Sequence, residues 1–514
     1  MRSLALANPA AAAGHEVVVA GRFEGAFLQR QLAAAPVEVA HLEVPVSGTV
    51  ASPHLELVER FAPDVLHVDS YELQGWLMGS FVLSNMEDGV FGRRPATVVV
   101  DPTFGAELSP RPDDGSTWLL RGSRYTPLHQ RVIDARRAAM GDGDSGTQRA
   151  DDVRAGVRLS EGEDLARRAL VVMGGTDPAG MAPVGVGLLA RTGLALEVTV
   201  IAVGENAQRA RAAARGSRLS LNVVAPVDDL AALMSVQDLV VSAAGTSIWE
   251  LCCIGVPTAA IWTVDNQRGG YDQVVAAGAA IGLGGPGLGG TRSGGDARAV
   301  DLLRKALTDS QVRADLVFAG RRIVDGLGAW RVVTMWETAS RQVPASRPAS
   351  PIETAGLVAR PATVADAEEL WQWRNDPVTR AGSRSSTEVP WDDHVRWLTS
   401  SLTRADRSLL MVEDVAGPVG TVRWDRESEG EWEVSVTVAP ARRGHSLGRP
   451  LLRAGEEALS EVAQSSGTAV TAYLAVVHVD NLASVRLFES SGYVPDLPPD
   501  ARGFMRYRKA ARVL

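Results

Sequence analysis

Residues 242–267 read SAAGTSIWELCCIGVPTAAIWTVDNQ. The order of residue types predicts a strand end, a loop of small residues and a helix carrying Trp249 and Glu250. A break at Gly255-Val256-Pro257, a buried strand and a polar Asp-Asn-Gln tip follow. A helix start preceded by Ala243, Ala244, Gly245, Thr246 and Ser247 offers free backbone N–H groups and the positive end of the helix dipole, which suits a diphosphate. Glu250, one turn further on, is placed to accept hydrogen bonds from the two hydroxyls of a ribose. Cys252 and Cys253 fall on the apolar face of the same helix. Adjacent cysteines rarely bridge each other and no metal-ligand spacing occurs, so both read as core thiols in a reducing compartment, with no metal expected.

The same alternation extends outward on both sides. Strand-like runs at 169–173, 196–203, 220–225, 239–242, 258–262 and 279–283 predict one doubly wound domain over residues 165–340. Earlier runs at 15–20, 37–42, 65–69 and 97–101 alternate with helical stretches and predict another over residues 1–150. Between them, GDGDSGTQRADD and SEGED read as a polar linker. Tandem domains of this class bind ligand in the cleft facing the carboxyl ends of their strands. Residues 341–356, containing RQVPASRPASPIET, have the composition of an exposed spacer. Beyond them the style changes. A strand at 357–361 and a helix at 366–375 with Leu370, Trp371 and Trp373 precede strands at 409–413, 419–424 and 432–438. Polar turns between these strands predict an antiparallel meander, hence an α+β domain over residues 357–511.

A chain of 514 residues exceeds what one core supports and implies two to four domains. The net charge of −9 argues against nucleic acid as a partner, since phosphate binding needs a basic surface. No run reaches the ~18–20 apolar residues of a membrane span. In the opening MRSLALANPAAAAG, Asn8-Pro9 shortens the apolar run below that of an export signal. A cytoplasmic location is the expectation.

The 242–267 stretch, read with Met173-Gly174-Gly175-Thr176-Asp177-Pro178, resembles the nucleotide-sugar site of two-domain (GT-B type) glycosyltransferases. Its spelling is most similar to the UDP-sugar hydrolase of the pseudaminic acid pathway and its spore-coat-polysaccharide relatives. His67-Val68-Asp69-Ser70-Tyr71, the 84–89 and 99–102 segments, and Ser123-Arg124-Tyr125-Thr126-Pro127-Leu128 resemble further landmarks of that group. The resemblance covers nearly all of residues 1–335. It implies two Rossmann-like domains in a GT-B arrangement and a UDP-sugar substrate. The binding residues it implies are Gly174, Gly175, Thr176, Ala244, Gly245, Thr246, Ser247, Glu250, Asn266 and Gln267, with Tyr71 and Asn266 as candidates for the chemistry. The family's reaction is inverting cleavage at the anomeric carbon with release of UDP, and it uses a His in a Gly-x-Gly-His-x-x-Arg loop as general base. Met1-Arg2 aligns just after that His, so the expectation is that this sequence as given does not hydrolyse.

In the last third, the strand around Val434, Val436 and Val438 runs into Ala439-Pro440-Ala441-Arg442-Arg443-Gly444-His445-Ser446-Leu447-Gly448-Arg449 and then an amphipathic helix. A strand, a basic glycine loop and a helix start form an anion cradle. This resembles the pyrophosphate arm of GCN5-related N-acetyltransferases (GNAT), with Arg443, Ser446 and Gly448 at the family's Arg/Gln, middle Gly and last Gly positions. Ser446 serves in place of Gly provided the position does not need a positive φ. The resemblance implies acetyl-CoA as cosubstrate, held by Val436, Val438, Arg443 to Arg449 (including Gly444, His445 and Leu447) and Asn481. The family's thiolate-protonating Tyr is Phe488 here, so Tyr493 or a water would have to donate instead. Trp373, Arg374 and Asn375 resemble the acceptor side of acetyltransferases that modify 4-amino sugars and protein N-termini, and Glu433 is a candidate base. Together the two resemblances imply N-acetylation of a UDP-linked amino sugar followed by its release from UDP, in nonulosonic acid or surface polysaccharide biosynthesis. The alternatives are a GT-B glycosyltransferase fused to the acetyltransferase, and a non-catalytic module that presents a UDP-sugar to it.

Overall fold

Short runs of aliphatic residues with almost no accessible surface set the sheets, as in Val98, Val99 and Val100 or Leu239, Val240 and Val241. The computed structural model describes residues 2–23, 26–41, 48–49, 52–71, 73–74, 81–140, 165–174, 177–288, 294–342, 356–465 and 469–511. Gly175, Thr176, the Asn266 side chain, the expected 141–164 linker and most of the 341–356 spacer lie outside the described residues. The chain divides into two compact units, Met1–Trp336 and Glu337–Leu514. No helix among the described residues is long and apolar enough to cross a membrane.

The first unit begins with α1 (Arg2–Ala12), which buries Leu4, Ala5, Leu6, Ala7 and Ala10. Strands β1 (Val18–Gly21) and β2 (Glu38–His41) form a parallel pair, and Gly48–Thr49 pairs with Leu73–Gln74. Strands β3 (Val65–Val68), β4 (Val82–Met86), β5 (Val98–Asp101) and β6 (Trp118–Arg121) form a parallel sheet in that order. Helix α2 (Gln130–Met140) closes this part. Strands β4 and β6 were not expected. Ser84 and Asn85 interrupt the apolar run of β4 yet are fully buried. Ser84 is satisfied there by His67 Nδ1 at 2.9 Å and by Trp336 Nε1, which donates to its Oγ at 2.8 Å.

The second part of the unit is one six-stranded parallel sheet. Its strands are β7 (Arg168–Val172), β8 (Leu196–Ile201), β9 (Leu219–Val224), β10 (Leu239–Ala243), β11 (Thr258–Ile261) and β12 (Ile281–Gly284). The spatial order is β9-β8-β7-β10-β11-β12. Alternate residues feed cores on the two faces: Ala169 and Val171 on one, Leu170 and Val172 on the other. The order reverses between β7 and β10, whose register pairs Val172 with Ser242. The chain therefore leaves these neighbouring strands toward opposite faces, and a crevice opens at their carboxyl ends. Helix α3 (Ala182–Arg191) follows β7, α4 (Ser247–Ile254) follows β10, and α5 (Arg268–Ala276) follows β11.

The Gly-Val-Pro break has a physical cause. Gly255 ends α4 at φ 85°, and a Cβ there would stand 2.1 Å from Arg321 Nε on α6 (Ser310–Ile323). Arg321 donates to the Ile254 carbonyl at 3.1 Å and Arg136 to the Cys253 carbonyl at 2.7 Å, so two cations cover the negative end of α4. Cys252 and Cys253 are unbridged and buried, and burial pushes both thiols up to about 12.

The second unit is a seven-stranded sheet. Its strands are β13 (Val358–Pro361), β14 (Arg407–Asp414), β15 (Gly417–Ser428), β16 (Glu431–Val438), β17 (Ala472–His478), β18 (Val494–Leu497) and β19 (Phe504–Ala510), in the order β13-β14-β15-β16-β17-β19-β18. All neighbours are antiparallel except β16 and β17, which run parallel. On one face α10 (Gly448–Ser465) buries Leu451 and Leu452 against Val422, Trp424 and Val434. On the other, α7 (Ala367–Asn375) and α9 (Trp391–Leu402) pack Leu370, Trp373 and Leu398 on Leu409 and Met411. The short α8 (Pro377–Ala381) follows α7, and α11 (Leu482–Ser490) follows β17.

Candidate functional sites in the two units

In the first unit, the loops leaving β7 and β10 stand side by side at the reversal of strand order. They are not equivalent. Asp177, held at φ 43° and buried, accepts from Met181 N and Ala182 N at 2.9 Å each, so α3 carries its own carboxylate at its N-terminus. Asn206 Nδ2 adds a bond to the Asp177 carbonyl at 2.9 Å. The start of α4 is open by contrast. Thr246 makes no side-chain cap, and the amides of Gly245 and Thr246 have no hydrogen-bond partner among the described residues. Ala244 differs, because its amide donates to the Ile261 carbonyl at 2.8 Å.

Glu250 lies one turn into α4. Its carboxylate has no ion pair or hydrogen bond among the described residues, and burial alone pushes it up to about 7. Gln267, in the turn Asp265–Gln267 after β11, accepts from Thr263 N at 2.9 Å through its Oε1. That leaves its Nε2 3.4 Å from where a Gly245 Cβ would stand. Gly174, Ala202, Val203, Asn206 and Pro226 line a depression across the ends of β7, β8 and β9.

Tyr71 belongs to a different cluster of the unit. It is 51% exposed and its hydroxyl donates to Asp88. The Arg2 guanidinium joins Asp69 at 2.7 Å and Asp88 at 2.6 Å. Asp69 and Tyr71 are thus engaged with Arg2 and Asp88. His67 is held by Ser84, and burial lowers its pKa to about 4, so it stays neutral through the physiological range.

In the second unit, the defining feature is where β16 and β17 stop pairing. Their ladder runs from Glu431↔Ala472 to Val434↔Ala475 and ends there. β16 continues through Val438 paired only with β15, and β17 continues through His478 paired only with β19. A wedge therefore opens between two parallel strands, and the backbone groups of 435–438 that face it have no strand partner among the described residues. Val436 and Val438 lie on this free stretch. Sequence spacing gives no sign of where two strands part, so the wedge was missed.

The loop from Arg443 to Gly448 joins the wedge to α10. Gly444 sits at φ 81° and Ser446 at φ 56°. The condition for replacing Gly with Ser at no cost is therefore not met, and Ser446 is strained. Ser446→Gly should stabilise the chain by about 0.5–1 kcal/mol, read as a higher midpoint in urea unfolding. Arg443 also departs from expectation. Its guanidinium donates to Asp376 Oδ1 and Thr379 Oγ1, at 2.6 Å each, while Asp376 caps α8 through Thr379 N. Its charge ties the loop to the α7–α8 junction and does not face the open loop. Arg442 is paired with Asp414, and His445 Nδ1 donates to the Arg443 carbonyl at 2.9 Å. The exposed Arg449, at the start of α10, has no ion pair among the described residues. Leu447 packs against the core.

Asn481 is the N-cap of α11, accepting from Ser484 N at 3.2 Å. Its amide nitrogen lies 2.9 Å from where a Cβ on Gly382 would stand. The candidate acceptor residues need correction. Trp373 is 7% exposed and belongs to the core. Asn375 is spent on a two-way bond with the Val389 backbone, at 2.9 and 2.8 Å. Arg374 donates to the Ser385 carbonyl at 3.0 Å. Arg374 and Asn375 thus hold the 382–390 segment in place. Phe488 is buried against Tyr493, which is itself fully buried with its hydroxyl donating to Glu456 at 2.9 Å. Tyr493 is therefore not positioned to protonate a leaving thiolate. Glu433, beside the last paired residue of the wedge, bonds Arg384 at 2.7 Å, and burial raises its pKa.

Residues 357–494 match the profile of the acetyltransferase (GNAT) domain family. Solved structures similar to the chain include a spermidine N-acetyltransferase from Vibrio cholerae in complex with CoA and spermine, at 17% identity. That likeness covers 30% of this chain and 96% of that one, with a TM-score of 0.27. An aminoglycoside acetyltransferase in complex with coenzyme A matches at 18% identity over 30% and 94%, TM-score 0.26. A domain from Methanocaldococcus jannaschii matches at 19% over 30% and 98%, TM-score 0.26. No curated protein matches the chain. The family match establishes one thing: an acetyltransferase domain of GNAT fold follows an α/β unit built on parallel sheets.

Proposed function

We propose that the second unit transfers the acetyl group of acetyl-CoA to the amine of an amino sugar, and that the first unit holds the UDP moiety of that sugar. The observation that carries the acetyl-transfer reading is the wedge opening after Val434 and Ala475, next to a loop whose amides from Gly444 to Gly448 have no partner among the described residues. An extended thioester arm can hydrogen-bond to the free β16 backbone as a strand would, with its diphosphate at the Arg443–Gly448 turn and the start of α10. Val436 and Val438 then line the arm and Arg449 faces the diphosphate. Asn481 caps α11 on the wedge side. Attack by an amine on the thioester carbon is assisted chiefly by proximity and by backbone donors to the developing oxyanion. Calorimetric titration of the chain with acetyl-CoA tests this.

The nucleotide reading rests on the contrast between the two helix starts of the crevice. α3 is filled by Asp177, whereas α4 presents the amides of Gly245 and Thr246 beside Glu250, all three without a partner among the described residues. A diphosphate on those amides brings a ribose diol within reach of Glu250, and Gly174 and Gln267 border the same space. Gly175, Thr176 and Asn266 complete the proposed set by resemblance. The open amides and Glu250 are binding groups, whereas Tyr71, Asp69 and Asp88 are locked with Arg2. This favours the presenting module among the alternatives, with UDP release as the later step that the hydrolase resemblance implies.

Ribose hydroxyls donate to the ionised carboxylate, so UDP binding favours the deprotonated form of Glu250. UDP should bind more tightly at pH 8 than at pH 6, with release of a proton on binding at pH 6. Glu250→Ala should weaken UDP about tenfold at pH 8 and remove this pH dependence. A purine diphosphate binding better than UDP would overturn the assignment.

A further inference from the structure

The sheet face opposite α10 carries a row of ion pairs. Arg407 and Arg423 both hold Asp425, at 2.5 and 2.8 Å. Arg508 holds Glu431 at 2.5 Å, and Arg506 holds Asp496 at 2.7 Å. In each of these pairs the cation comes from a strand. Glu433 differs, because its partner Arg384 comes from the 382–390 segment between α8 and α9. That segment is fixed at Ser385 by Arg374 and at Val389 by Asn375 and Trp371, the last donating through Nε1 at 2.8 Å. The Arg384 side chain itself is 56% exposed, against 21% for Glu433. A guanidinium on a pinned backbone but in solvent can leave its partner at little cost, since exposed pairs contribute little to stability. Glu433 cannot leave, because it lies on a central strand one residue before the wedge opens.

We propose that Arg384 holds the place of the acceptor's cationic amine on Glu433, so that the acceptor binds as an ammonium and displaces the Arg384 guanidinium. The inference rests on the acetyl-transfer reading and adds the charge state of the acceptor and the residue that gates it. The reaction balances. The ammonium gives one proton to Glu433, the freed lone pair attacks the thioester carbon, the C–N bond forms and the C–S bond breaks. The departing thiolate takes up a second N–H proton, and the third stays on the amide nitrogen. Neutral hydroxyl acceptors lack the charge to displace Arg384 and are rejected, which makes the pair a selectivity device.

The test is steady-state thiol release from acetyl-CoA by the full chain, with spermidine and a UDP-linked 4-amino sugar as probe amines. Arg384→Met should lower the amine KM about fivefold, roughly 1 kcal/mol at 1.4 kcal/mol per tenfold. The KM for acetyl-CoA should not change. Arg384→Lys should give a smaller gain. Arg384 faces Glu433 from its loop, and Arg423, Asp425 and Glu427 face it from β15. Removing the Arg384 cation should therefore move the acid limb of kcat/KM to higher pH, a shift that a purely structural role would not produce. Turnover by the unaltered chain with an amine KM unchanged or raised in Arg384→Met overturns the inference alone. No thiol release by any form with either probe overturns the acetyl-transfer reading and the inference with it.

Discussion

Gly448→Glu should abolish measurable acetyl-CoA binding, with a loss of at least about a hundredfold in calorimetric affinity. Gly448 opens α10, where the free amides and helix dipole favour an anion. A carboxylate there meets the cosubstrate's diphosphate with like charge. Space is short as well, since a Cβ on Gly448 stands 3.2 Å from Leu487 Cδ1. A hundredfold loss corresponds to about 2.7 kcal/mol. Gly448→Ala adds the crowding without the charge and should cost far less. Unchanged affinity in Gly448→Glu would place the cosubstrate elsewhere.

Glu250→Gln should stabilise the first unit at pH 8 and have almost no effect at pH 4.5. Burial lifts the carboxyl to about 7 in the folded chain, well above the ordinary carboxylate range. A carboxyl raised on folding contributes its stability in full below the unfolded value, and the contribution is lost as pH rises through the folded one. Above pH 7 the fold carries an ionised carboxylate with no partner among the described residues, on the order of 2–3 kcal/mol less stable than its neutral isostere. Thermal unfolding followed at both pH values should show a higher midpoint for the variant only at pH 8. Equal midpoints at pH 8 would mean that Glu250 is solvated or paired. Retaining a costly charge at this position fits a group kept for a ligand.

Most strands were legible because fully buried parallel strands are written as uninterrupted aliphatic runs, as in Leu239-Val240-Val241 or Ala169-Leu170-Val171. β4 was not, because Ser84 and Asn85 are polar residues whose burial is made tolerable by partners outside the strand, His67 and Trp336 for Ser84 and the Gly92 carbonyl for Asn85. The site divides along the same line. Gly255 as a helix end and the open loop before Ser247 follow from local chemistry that the sequence carries. What Arg443 grips does not. Asp376-Pro377 announces a helix start, but nothing in the spelling says that an arginine 67 residues later completes it. The same holds for Asn375, whose amide matches the Val389 backbone, and for Tyr493, whose hydroxyl goes to Glu456. Ser446 can stand in for Gly freely only where φ is negative, a condition the spelling does not reveal. Only the backbone angle reveals its strain.

The central claim is that the second unit acetylates an amine carried on a UDP-sugar held by the first. Mass spectrometry of a UDP-linked 4-amino sugar incubated with the full chain, with and without acetyl-CoA, tests it most directly. The account predicts that the intact UDP-sugar gains one acetyl group on nitrogen, only when acetyl-CoA is present, and that Gly448→Glu eliminates the product. An unmodified sugar in the presence of acetyl-CoA, or an acetyl group found on oxygen, would contradict it.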